Sequence, residues 1–151
     1  MKLEVRLHLL CGPLAGALAA VSLAACGEPP AVGHHTPGGG GAAGTYAGMT
    51  EGIMVPRCAT SACHGGATPV AYPSCDADRW YDAMVSVPSQ QAPGLNMIEP
   101  GDAEQSYLVH KLRGTHGLAG GGGARMPIAD SPLDDVEQAA VEAWIANGAP
   151  R

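Results

Sequence analysis

The stretch from Arg57 to Gly66, RCATSACHGG, constrains this chain more than any other. It sets two thiols and an imidazole within seven residues, with the histidine directly after the second cysteine and two glycines behind it. The residues around it, Tyr46 to Arg151, suffice for one small domain. The whole chain, however, has only four Tyr, two Trp and no Phe to fill a core. A domain with so few large side chains needs a supplement to its hydrophobic core, and a cysteine cluster is where a disulfide or a covalently held group supplies one.

The N-terminus places the cluster in an oxidising compartment. Residues 1–25 begin with Lys2 and Arg6 and continue as an apolar run rich in Leu, Ala and Val, the pattern of an export signal peptide. Gly12, Pro13 and Gly16 interrupt the run, which disfavours a transmembrane helix. The run closes on Leu23-Ala24-Ala25-Cys26, a tetrad that resembles a bacterial lipobox. Cys26 is then the acylated first residue of the mature chain, Cys11 is discarded, and the acyl chains hold the protein on a membrane facing the periplasm or cell exterior. Ordinary cleavage to a soluble product is the alternative. Residues 26–45, dominated by Gly, Pro and Ala, read as a tether. His34 and His35 lie there without a third ligand and are left out of the chemistry. Removing residues 1–25 takes away two basic residues and one acidic one, so the net charge moves from −6 to −7. Nucleic acid is excluded as a partner on that balance.

Residues 46–151 read as all-α, with no alternating strand pattern and no repeat. Tyr46, Met49, Ile53 and Met54 make a first helical face that Pro56 should end before Cys58. Ala77, Trp80, Tyr81, Met84 and Val85 make a second, closed by Pro88. Pro100-Gly101-Asp102 is a turn into AEQSYLVHKLRG, where Asp102 and Gln105 suggest a capping box and Gly114 a stop. Its buried face is expected at Leu108, Val109 and Leu112, with His110 opposite in solvent. Residues 114–125, containing GGGG, read as a mobile loop. The last helix is expected to start from Ser131 as N-cap and Pro132, to bury Leu133, Val136, Ala140 and Trp144, and to end before Gly148.

The cysteine-histidine cluster has the shape of the haem attachment motif C-x-x-C-H with four residues, not two, between the cysteines. Attachment needs two thiols to reach two vinyl groups on one edge of the macrocycle while an imidazole meets the iron. Cys58, Cys63 and His64 supply these groups. Ala59, Thr60, Ser61 and Ala62 are small enough to bulge outward, and Gly65-Gly66 lets the backbone turn close to the ring edge. A thioether is a common sixth ligand in electron carriers, and Met126, beside Pro127 after the glycine loop, is either that ligand or a core filler. Met97, His110 and His116 are its competitors.

The order C…CH, PGDAEQSYLVHKL, RMP and SPLDDVEQAAVEAWIANGAP resembles the small c-type cytochrome domains of planctomycetes and myxobacteria. The resemblance spans about Ile53 to Pro150. It implies a cytochrome c-like helical fold around one covalent haem c, attached by Cys58 and Cys63, with His64 proximal and Met126 distal. It also implies an electron carrier that passes electrons to a redox partner and is not an enzyme. The chain departs from the family pattern in its longer cysteine spacer and in Cys75.

The main alternative is a haem-free lipoprotein interaction module stapled by a disulfide between two of Cys58, Cys63 and Cys75. It gives no reason for a histidine directly after Cys63. A structural zinc site lacks an obvious second ligand pair. A haem peroxidase would need an open sixth position, and no Ser/His/Asp ordering or phosphate-binding glycine motif points to other catalysis.

Overall fold

A computed structural model describes residues 44–128 and 130–151, all within one compact unit. The expected signal peptide, the acylated Cys26 and nearly all of the tether lie outside the described residues. Among those described, the domain is helical and contains no strand, as an all-α reading requires.

Helix α1, Tyr46–Met49, starts at Thr45, whose hydroxyl accepts from Gly48 N at 3.1 Å. It runs directly into a π-helical segment, Thr50–Cys58, so Pro56 sits inside the helix and does not end it. The wider π turn moves the preceding carbonyls out from under the proline ring, which removes the clash that breaks an α-helix. The helix therefore carries the chain all the way to Cys58. Helix α2, Trp80–Met84, is short as expected and buries Trp80 and Met84.

Beyond α2 the chain doubles back. Val85 and Ile98 form an isolated parallel bridge, and Tyr107 N and Leu108 N donate to Asn96 O and Met97 O. Residues 95–98 are thus threaded between the end of α2 and the start of helix α3, Tyr107–Arg113. The PGD turn before α3 is held by its own side chains. Gly101 takes φ +88°, Asp102 Oδ1 accepts from Glu104 N and Gln105 N, and buried Ser106 Oγ donates to Asp102 O at 2.8 Å while accepting from Glu99 N. The Asp102 carboxylate therefore closes a turn one step before the helix, and no capping box with Gln105 forms. Gly114 ends α3 in the left-handed region at φ +79°, where glycine carries no steric penalty.

Helix α4, Asp135–Ala146, touches both α1 and α3. Its N-cap is Asp134, in a full capping box with Glu137, and not Ser131. Val136 is 70 % exposed, and the buried face is Glu137, Val141, Trp144 and Ile145.

Four of the six aromatic residues build one core cluster. Tyr46 stacks on Trp80 with centroids 5.3 Å apart, Trp80 meets Trp144 at 5.4 Å, and Tyr81 stands edge-on to all three. Their polar tips are satisfied: Trp80 Nε1 donates to Thr50 Oγ1, Trp144 Nε1 to Pro150 O and Tyr81 Oη to Ala149 O. The two remaining aromatics, Tyr72 and Tyr107, lie on the wall of a cavity.

Candidate functional site: a thiol, imidazole and thioether cavity

The cavity has a volume of about 740 Å³, within the range of about 300–1,000 Å³ typical of ligand sites. Cys58, Cys63, His64 and Met126 all line it. The π-helical segment delivers Cys58 to one wall. A tight turn then delivers Cys63 and His64, with Cys63 N and Gly65 N both donating to Thr60 O at 3.0 and 2.8 Å. A Cβ on Gly65 would come within 2.6 Å of Ala59 O, so this glycine is required by the arc of residues 59–60 itself. Gly66 adopts φ +88°. The four residues between the cysteines thus form a compact loop closed on its own backbone.

His64 is oriented by Pro73, whose carbonyl oxygen lies 2.8 Å from Nδ1. A carbonyl only accepts, so Nδ1 holds the proton and Nε2 keeps the lone pair that a metal takes. The chain is pinned to the same place by Cys75 N donating to His64 O at 2.7 Å.

Met126 is positioned by the C-terminal end of α3. Met126 N donates to Lys111 O at 3.0 Å, and Arg125 Nε donates to Leu112 O at 2.7 Å. Arg125 thereby satisfies a helix-end carbonyl that has no partner within the helix. Met54, Met84 and Met97 share the cavity wall with Met126. Met54 and Met84 are 2 % exposed core residues, whereas Met97 is only partly buried and stays a competitor for Met126.

The two histidine competitors are held elsewhere. His110 engages Thr115 Oγ1 through Nδ1 and Glu104 O through Nε2, both at 2.9 Å. His116 Nε2 donates to Gly123 O at 2.8 Å, and its buried Nδ1 has no hydrogen-bond partner. Neither histidine lines the cavity. Residues 114–125 are irregular, as their composition implies, but they are pinned through Gly121 N to His116 O and through Gly122 O, which accepts from Lys111 Nζ.

Hydrophobic periodicity does not reveal four further residues of the site. Arg57, buried beside Cys58, reaches Glu137 Oε1 at 3.2 Å, Asp130 Oδ2 at 3.2 Å and Ser131 O at 2.7 Å, tying the loop after Met126 to the cysteine segment. Cys75 is buried on the cavity wall, its thiol directed at Pro73 O at 4.0 Å, and it interacts electrostatically with Cys58. Interaction with Cys75 holds the Cys58 thiol below its ordinary range against the opposing effect of burial, with the Arg57 charge assisting. The same interaction, together with burial, pushes Cys75 up. Lys111 is 6 % exposed, and desolvation pushes its ammonium down. Tyr107, also buried, is pushed up by desolvation. Only Cys75 carries a signal in the sequence, as a cysteine left over from the pair.

The donor set fits a haem: two thiols, an imidazole with Nε2 free, and thioether sulfurs on an otherwise largely apolar wall. Among the described residues no three His, Cys, Asp or Glu side chains gather as a metal-binding group. No helix among them is long and apolar enough to cross a membrane. Comparisons with protein-family models, with curated proteins and with solved structures find no match to this chain.

Proposed function

We propose that this protein is a monohaem c-type cytochrome that carries single electrons, anchored through Cys26 to a membrane facing the periplasm or cell exterior. One observation carries the reading: Cys58, Cys63, His64 and Met126 share a single cavity, and Pro73 holds the imidazole with Nε2 as its free nitrogen. Cys58 and Cys63 would hold the haem through thioether bonds, each S–H adding across a vinyl group. His64 Nε2 would serve as the proximal ligand and the Met126 thioether as the distal one. The bound haem supplies a ferric/ferrous couple, and a thioether ligand raises its potential. Met54, Met84, Leu108 and Leu112 on the remaining wall would pack against the ring.

Spectroelectrochemical titration of the loaded full chain tests this. A one-electron couple and a sulfur-to-iron charge-transfer band that Met126→Ala abolishes and Met97→Ala retains are expected. Loss of the band in Met97→Ala instead moves the distal role to Met97, and an iron that binds peroxide in the wild type contradicts the carrier. Replacing Cys26 by Ser is expected to release the protein from the membrane fraction. Unchanged fractionation would refute the anchor alone.

A second reading is favoured by Cys75, a buried cysteine that lines the same cavity as Cys58. In a haem-free chain, Cys58 and Cys75 form the disulfide by exchange with an external disulfide, which is reduced to two thiols, and Cys63 stays free. Peptide mapping of the haem-free protein is expected to find this pair. A Cys58–Cys63 bridge would contradict it.

A further inference from the structure

Lys111 lies on α3 with 6 % of its surface exposed and lines the same cavity as the thiols and His64. Its ammonium donates to Gly122 O at 3.0 Å and stands 6.0 Å from the centre of the Tyr107 ring. It pairs with no carboxylate among the described residues. The other cation on the wall, Arg57, is compensated by Glu137 and Asp130. Buried lysines are rare unless paired, because burial strips the charge of its hydration. The neighbouring wall is also polar: Tyr107 Oη donates to Gln91 Oε1 at 2.9 Å, and Gln91 presents its amide at the cavity. The cavity thus combines an apolar interior with one uncompensated cation, the complement of an apolar ligand that carries an acid group.

We propose that Lys111 is the anion-binding residue of this cavity and pairs with a carboxylate of its ligand, a propionate if the ligand is haem. The inference rests on the tetrapyrrole reading for the identity of the ligand, and on Lys111 and its surroundings for the charge. The second and third protons of the ammonium make the new bonds, while the first stays on Gly122 O.

Equilibrium binding of two iron-free porphyrins to the haem-free full chain tests the proposal: protoporphyrin IX, with two free carboxylates, and its dimethyl ester. The wild type is expected to prefer the diacid by roughly tenfold, the effect of one charge-assisted hydrogen bond. Lys111→Met should bring that preference to within about twofold, and Lys111→Arg should keep most of it. An unchanged preference in Lys111→Met overturns the proposal and leaves the tetrapyrrole reading standing. Binding of neither porphyrin by the wild type overturns that reading. The denaturation midpoint of the haem-free chain then decides the charge on its own. Lys111→Met should raise it by removing an unpaired buried cation, and a lower midpoint shows instead that Lys111 is a structural brace for Gly122.

Discussion

The backbone carbonyl of Pro73 accepts a hydrogen bond from Nδ1 of His64 at 2.8 Å, nine residues away along the chain. The bond fixes both the tautomer and the ring plane of the imidazole, and the residue that makes it is buried. His64→Ala in the loaded protein is therefore expected to abolish the six-coordinate absorption spectrum. Because His64 itself is half-buried, the haem-free variant should lose only about 1 kcal/mol of unfolding free energy, the worth of one hydrogen bond. A wild-type-like spectrum in the variant would remove His64 from the iron.

Arg57 and Glu137 are buried together, with side chains 7 % and 9 % exposed. Glu137 also closes the α4 capping box by accepting from Asp134 N at 3.0 Å. Removing one member of a buried pair leaves an uncompensated charge, so Glu137→Ala should cost about 3 kcal/mol in urea unfolding. The Arg57→Ala, Glu137→Ala double variant should lose clearly less than the two single losses added together. Additive losses would show that the two charges do not act as a pair.

The acid limb of the stability curve should carry the signature of Glu142. Its carboxyl is held below the usual carboxylate range, first by the hydrogen bond from Arg113 Nε and then by Gln138, against the opposing effect of partial burial. A depressed folded-state value means that the unfolded chain takes up the proton first. The pair therefore stabilises fully above the unfolded value of about 4.3, and that contribution fades as pH falls through the folded one. Both side chains are partly exposed, which limits the effect to at most about 1 kcal/mol. Glu142→Gln should flatten the loss of stability below about pH 4.3. An identical acid limb in the variant would assign the pH dependence to other carboxylates.

Gly121 is needed for closeness and not for its backbone angle. A Cβ there would overlap the ring and hydroxyl of Tyr107, a buried residue on the cavity wall. Gly121→Ala should cost about 1–3 kcal/mol as the ring is displaced. Gly122→Ala, where a Cβ meets nothing within 4 Å, should cost less. Equal losses at both positions would place the effect in loop entropy and not in packing against Tyr107.

Much of this architecture is legible in the sequence because it depends on glycine, proline and large apolar residues. Gly114 and Gly148 both take positive φ where the third and fourth helices end. Trp80, Met84, Val109, Leu112 and Trp144 are buried as their spacing implies. The misplacements have a common cause. Counting apolar residues assigns Val136 to the core of α4, whereas the buried position belongs to Glu137, paired with Arg57. The same counting passes over Lys111, whose long side chain is folded under the glycine loop. A buried charge is invisible to hydrophobic periodicity, since its position depends on a partner distant in sequence. Pro56 misleads for another reason, because the rule that proline ends a helix assumes α geometry and the segment is a π-helix. Motif order singles out Cys58, Cys63, His64 and Met126, which line one cavity, while the burial of Cys75 on its wall depends on the turn at Pro73.

The central claim is tested most directly by expressing the exported full chain with a cytochrome c maturation system, denaturing it, and measuring its intact mass with peptide mapping. One haem per chain, retained after denaturation and mapped to Cys58 and Cys63, is the predicted result. A chain without added haem mass and with Cys58 bridged to Cys75 would contradict it.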